Sequence, residues 1–261
     1  MDTQLKELTA EQENFFPDES FREAIDAGVF YGRKKSKTNP KMKPFIFGDR
    51  GGIEILDLGK TVEGMKEAAA FIKERAAANA LLLFVGTQPA AQELVLRVAK
   101  EFNYPFVTGR WIGGTLTNFK TIAKRIDHLK QLRSDMASGA LEKYTKKERL
   151  QIDREINRLT ELFGGLELLT RAPDALVVVD TTAHETAIRE ALRLHIPVVA
   201  FINSDASPDE VRYPVVGNNA ARKSIAWFLE KIRAAVLEGR ASAPQGLPPG
   251  ENAKGPEKTA A

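Results

Sequence analysis

The sequence predicts an α/β protein with a mostly parallel sheet, flanked by helices and interrupted by an inserted antiparallel helical hairpin. Three observations predict it. Short, continuous apolar runs at Leu81 to Val85, Ala175 to Val179 and Val198 to Ile202 read as strands buried on both faces. Helix-like stretches alternate with them, as the crossovers of a parallel sheet require. One long segment, 116–164, breaks this rhythm with narrow apolar seams on otherwise charged helices.

Taken in order, Ser20 to Val29 is expected to form a short helix with Phe21, Ala24, Ile25 and Val29 on one face. The polar stretch Arg33 to Lys43 follows, where Asn39-Pro40 and Lys43-Pro44 disfavour helix at Asn39 and Lys43. Phe45 to Phe47 reads as a strand, Asp49 to Gly52 as a tight turn, and Ile53 to Leu58 as another short strand. Helix Thr61 to Ala78 leads to strand Leu81 to Val85, and helix Ala90 to Phe102 leads to strand Pro105 to Val107. After the hairpin come strand Ala175 to Val179, helix Ala183 to Leu194, strand Val198 to Ile202 and helix Ala220 to Leu237. Crossovers are expected to be right-handed, while strand order is not encoded in the periodicity.

Within the hairpin, Phe119, Ile122, Ile126, Leu129 and Met136 mark one seam, and Ile152, Ile156, Leu159 and Phe163 mark the other. Thr145 and Glu148 have the spacing of a capping box that starts the second helix. The resulting division is an acidic leader (1–20), a first part of the α/β domain (21–115), the hairpin (116–164), a second part (165–239) and a tail (240–261). The tail has Leu247 as its sole large apolar residue and is expected to be disordered.

The 261 residues carry a formal charge of only +3, but that charge is unevenly placed. Residues 1–30 hold eight acids against Lys6 and Arg22. Residues 31–50 hold seven Lys or Arg against Asp49 alone, and residues 110–158 hold twelve against six acids. Two concentrated basic segments suit a protein that meets a polyanion over part of its surface. The absence of cysteine excludes disulfides, thiolate metal sites and cysteine nucleophiles. There is no apolar run of membrane-spanning length, the acidic N-terminus lacks the order of a secretory signal, and the absence of cysteine fits a reducing cytoplasm.

Six positive side chains, Arg33, Lys34, Lys35, Lys37, Lys41 and Lys43, stand in one stretch without an acid, restrained by proline. They suit backbone phosphates, with Ser36, Thr38 and Asn39 as further donors. A solvated basic loop is the plainer alternative. In Arg110 to Phe119, Gly113 and Gly114 permit a close turn, Arg110 suits a phosphate, and Trp111 either stacks on a base or anchors the hairpin root. Thr117 or Asn118 is a candidate cap for the next helix. On the hairpin, Lys143, Lys146 and Lys147 are the best placed of many basic residues, although intrahelical pairs with interspersed acids explain part of that pattern.

Other signals are weaker. Val85-Gly86-Thr87 ends a strand but lacks the glycine spacing of a dinucleotide or phosphate-binding loop. Asp180 also ends a strand, where capping by it or by Thr181 and Thr182 competes with a catalytic role. Asp205 and Asp209 flank Pro208 and read as turn formers. His128, His184 and His195 are scattered, and no catalytic or metal-binding set is assigned.

Read together, these segments resemble the bacterial small ribosomal subunit protein two family. The resemblance rests on Gly28 to Gly32, Asn39 to Pro44, Arg110 to Phe119, Pro173-Asp174-Ala175, Ile196 to Ala200, Tyr213-Pro214 and Gly217-Asn218-Asn219-Ala220, in order from Phe21 to Gly239. It implies a flavodoxin-like domain with an inserted hairpin. It also implies a non-catalytic structural role in the cytoplasm: binding small-subunit ribosomal RNA beside neighbouring ribosomal proteins, without a cofactor. In many bacteria the family also helps recruit a large multi-domain RNA-binding ribosomal protein. Phe30-Tyr31-Gly32-Arg33 lacks the family's histidines on either side of its phenylalanine-glycine pair, and the stretch before Asn39 lacks tryptophan. Two other readings stay open at this point. One is a nucleotide- or phosphosugar-binding α/β enzyme using Gly86, Thr87 and Asp180. The other is a protein-binding module that acts through the hairpin.

Overall fold

A computed structural model describes residues 19–242, so nearly all of the acidic leader and of the tail lie outside the described residues. The chain opens with α1 (Glu19–Asp26), β1 (Tyr31–Lys34), β2 (Ile46–Arg50) and β3 (Ile53–Leu56). The alternating part follows as α2 (Leu58–Ala77), β4 (Leu82–Val85), α3 (Pro89–Glu101) and β5 (Phe106–Val107). The hairpin helices α4 (Phe119–Ala137) and α5 (Lys146–Phe163) come next. The chain then returns through β6 (Ala175–Val179), α6 (Glu185–Arg193), β7 (Val198–Ile202), β8 (Tyr213–Val216) and α7 (Arg222–Ala241).

The main sheet has the order β5-β4-β6-β7-β8, with every neighbouring pair parallel. Its strands are apolar throughout because each face has its own core. On one face Phe84, Val177, Phe201 and Val215 pack with Ile72 of α2, Val95 of α3 and Phe228 of α7. The Phe201 and Phe228 rings stack with centroids 4.9 Å apart. On the other face Leu83, Val178, Ala200 and Ile202 pack with Ile188 of α6, the hairpin base and Met42. Alternate residues of one strand therefore feed opposite cores, as a period of two requires.

The hairpin leaves the sheet after β5 and returns before β6. Ile122, Ile126, Leu129, Ile156, Leu159 and Phe163 are buried along its seam, but Met136 is 54% exposed, so the seam gives out toward the tip. The expected capping box is present. Thr145 Oγ1 accepts from the Glu148 amide, and a Glu148 carboxylate oxygen accepts from the Thr145 amide at 2.9 Å.

Some elements depart from the expectation. β1 and β2 flank β3 in a separate antiparallel sheet, and β8 closes the parallel one. β1 runs through Arg33 and Lys34, where charge hid the strand. β8 is only four residues long and contains Pro214, which is tolerated because the strand lies at the edge of the sheet. The strand expected to reach Leu58 stops at Leu56. Asp57 accepts from the Lys60 amide and starts α2 early. Lys43 and Pro44 lie in a short 3-10 turn, Pro40–Phe45, which accepts the proline that an α-helix would resist.

Candidate nucleic-acid interface

The basic stretch is held in place by three devices. β1 pairs with β3, and Gly32 within it lies so close to that strand that a Cβ would stand 3.0 Å from the Glu54 backbone oxygen. The Asn39 side chain accepts from the Lys41 amide while the Asn39 amide donates to the Ser204 carbonyl at 2.8 Å. Met42, fully buried, anchors the following turn in the core. Local sequence thus produces a pinned platform rather than a loose loop.

The cations on that platform differ. Arg33 is partly buried, with Nε 3.2 Å from an Asp205 oxygen, Nη2 donating to Asn219 Oδ1 at 3.0 Å, and its amide donating to Ser204 Oγ. Lys35 meets Asp49 at 3.1 Å and Lys41 meets Asp209 at 2.8 Å, both at exposed pairs. Asp209 raises the Lys41 pKa by accepting its hydrogen bond. Asp205 and Asp209 are therefore ion-pair partners of the basic stretch, a role beyond shaping the turn around Pro208. Lys34, Lys37 and Lys43 are exposed and have no ion-pair partner among the described residues.

The tryptophan loop is organised by a residue that sequence reasoning missed. Glu190 on α6 is 7% exposed and accepts from the Gly114, Leu116 and Thr117 amides, the Thr117 hydroxyl and the Trp111 indole, at 2.8–3.1 Å. Burial opposes its ionisation, but those donors outweigh it and hold the carboxyl below its ordinary range. Gly114, at φ 89°, is the one of the two glycines whose turn requires glycine; its amide then meets Glu190. Trp111 consequently anchors the hairpin root. Asn118 takes the cap position of α4 without a side-chain bond to the backbone there. A charged residue at a buried position of a short amphipathic helix was the available sequence signal. Arg110, just before this loop, is exposed and unpaired among the described residues.

At the hairpin tip, Lys146 and Lys147 open α5, exposed and without a carboxylate partner among the described residues. Lys143 closes the preceding 3-10 turn, Ala140–Lys143, and its side chain lies outside what is described. The anticipated intrahelical Lys/Arg–carboxylate pairs are not formed on α4 or α5 among the described residues. Arg133 instead reaches Glu167 beyond α5, and His128 approaches Glu155 across the hairpin.

The strand ends that suggested an enzyme are occupied by one another's side chains. The Asp180 carboxylate accepts from the Thr182 and Ala183 amides and from Gln88 Nε2, at a backbone φ of 71°. His184 Nδ1 lies 2.6 Å from the Asp180 carbonyl, and its Nε2 faces the Thr87 amide and hydroxyl. Burial raises the Asp180 pKa, with Asp205 adding to it, and burial lowers that of His184. These contacts tie the turn after β4 to the turn that leads from β6 into α6.

A model of the family described as Ribosomal protein S2 matches residues 24–239. The small ribosomal subunit protein uS2 of Corynebacterium urealyticum is 44% identical over 222 residues, covering 85% of this chain and 82% of the relative. That of Corynebacterium diphtheriae is 43% identical, covering 85% and 84%. That of a Rhizobium leguminosarum strain is 41% identical over 223 residues, covering 85% and 87%. All but eight of the described residues, 19–242, thus lie inside one match, and the chain belongs to the Ribosomal protein S2 family.

Proposed function

We propose that this chain is a non-catalytic structural constituent of the small ribosomal subunit, binding ribosomal RNA and supporting subunit assembly and translation in the cytoplasm. The observation that carries the reading is the family match over residues 24–239, which spans both basic regions. The main sheet order supports a flavodoxin-like description, since its parallel strands follow the 2-1-3-4-5 pattern.

Lys34, Lys37, Lys43, Arg110, Lys146 and Lys147 make the direct phosphate contacts in this reading, because each presents a charge not already engaged by a carboxylate. Lys143 belongs with its neighbours at the tip. Lys35 and Lys41 can exchange their partners for phosphate at little cost, because exposed ion pairs are screened by solvent and weakly held. Arg33 acts chiefly by holding the platform to the end of β7. Neighbouring ribosomal proteins, including a large multi-domain RNA-binding one, are the protein partners of the same reading.

Sedimentation of tagged protein from native extract tests it. Stoichiometric migration with small-subunit RNA at low and high salt is the expected result. Migration free of that RNA at both salts would defeat the reading. The described residues hold no helix long and apolar enough to cross a membrane.

A further inference from the structure

The basic stretch from Arg33 to Lys43 contains no aromatic side chain, and the Trp111 ring is committed to Glu190 at the hairpin root. The basic platform can therefore grip phosphates but has no ring of its own to meet a base. Phe47, on β2, supplies one. It is 48% exposed, the one exposed phenylalanine among the described residues, and no other ring there engages it.

The backbone sets this ring beside a cation. The register between β2 and β3 shifts at Phe47, with two steps on β2, Ile46 to Gly48, against one on β3, Leu56 to Ile55. Such a bulge bends a strand and re-aims the side chain it carries. β2 is also an edge strand, with β3 as its single neighbour, so its outer side is open to a ligand. The Ile46 amide donates to the Lys43 carbonyl, which folds the start of β2 back on the 3-10 turn and keeps Lys43 within one turn of Phe47. Lys43 is exposed and has no carboxylate partner among the described residues. Across the same small sheet, Lys34 stands in register with Ile53, which is 42% exposed. Unengaged cations and open apolar side chains thus share one element.

We infer that Phe47 is a stacking surface for an unpaired nucleotide of the bound RNA, with Lys43 holding the adjoining phosphate. A base inside a helix shows its faces only to its neighbours, so a side-chain ring reaches it only where the strand is splayed open. Every base has a π-face, so stacking tolerates sequence. What is recognised is the state of the strand, single-stranded or bulged, and not its letters. The surrounding lysines favour a polyanion over an apolar protein face. This role rests on the RNA-binding reading and adds to it, because phosphate contacts alone fix position without reading a base.

The test uses small subunits purified with the full-length chain in which Phe47 is replaced by photoreactive benzoylphenylalanine. The expected result is a crosslink to ribosomal RNA at a base that chemical probing shows to be unpaired. In Phe47→Ala subunits that base should regain the reactivity it has when the protein is missing, and the chain should bind roughly tenfold more weakly. Its salt dependence should stay as steep as the parent's, since no charge is removed. Phe47→Trp should restore both protection and affinity, which a merely steric role for phenylalanine would not allow. A crosslink confined to paired nucleotides, to a neighbouring protein or to nothing, in subunits that contain the chain, would overturn the stacking role and leave the RNA-binding reading standing. Absence of the unsubstituted chain from the subunits would overturn both.

Discussion

In the stretch from Arg33 to Lys43, three of six cations meet a carboxylate supplied by the folded domain. On α5, Lys146, Lys147, Arg149, Arg154 and Arg158 meet none among the described residues. By composition the order is the reverse, since the first stretch has no acid of its own and α5 has four acids among its five cations. They differ because the first lies against the connection between β7 and β8, which supplies Asp205 and Asp209, and beside β2, which supplies Asp49. The second projects beyond the domain, and its own acids at helical spacing do not close on their neighbours. A basic count therefore overstates the charge available near a packed sheet and estimates it more faithfully on a projecting element.

The largest test of this contrast is at the root of the hairpin. Glu190→Ala strips the acceptor from three loop amides and an indole, and should cost about 3 kcal/mol by the penalty for leaving buried donors unsatisfied. Denaturant unfolding would measure it, and a loss below half that value would mean water replaces the carboxylate. The same residue sets a pH dependence. Its folded pKa is depressed, so its contribution is complete above the ordinary carboxyl value of 4.5 and disappears as pH falls through the folded value. The Tm difference between the parent and Glu190→Gln should shrink as the solution is acidified below that point. Asp180, with a raised pKa, contributes with the opposite sign, so protonating it relieves rather than adds to the acid loss.

Arg33→Ala is expected to cost roughly 2 kcal/mol, since it leaves a partly buried carboxylate and Asn219 without their donor. Rescue of stability by Lys would argue that charge alone suffices there. Thr145→Ala removes the capping box and should cost about 1 kcal/mol, seen as faster hydrogen exchange in the first turn of α5. The smallest effect on stability is expected from Lys34→Ala/Lys37→Ala/Lys43→Ala, within about 0.5 kcal/mol. That triple variant should nonetheless flatten the salt dependence of RNA binding by roughly two to three in log–log slope. Arg33→Ala, compared at equal folded fraction, should flatten it less. An unchanged slope in the triple variant would remove those lysines from the interface.

The parallel sheet was legible because strands such as Ala175 to Val179 and Val198 to Ile202 must be apolar on both faces. The capping box was legible because its two residues lie in one turn. Two strands of the antiparallel sheet and the turn between them were legible at Phe45 to Leu58, but β1 was not, since it hides inside a basic stretch and its pairing with β3 is tertiary. The site was legible as composition and illegible as pairing. Nothing local to Arg33 names Asp205, 172 positions away, as its partner. Glu190 escaped for the same reason, since its five donors all come from the loop between Trp111 and Thr117.

The hairpin is also a lever. Its nineteen-residue first helix is about 28 Å long, so a tilt of about 10° at the base would swing the tip by roughly 5 Å, more than the width of a phosphate group. Aim at the far end is thus governed by stiffness at the near end, where one carboxylate gathers the loop that starts α4. A substitution at Glu190 should blur the position of Lys146 and Lys147 without touching either, much as a loose hinge misdirects a long pointer.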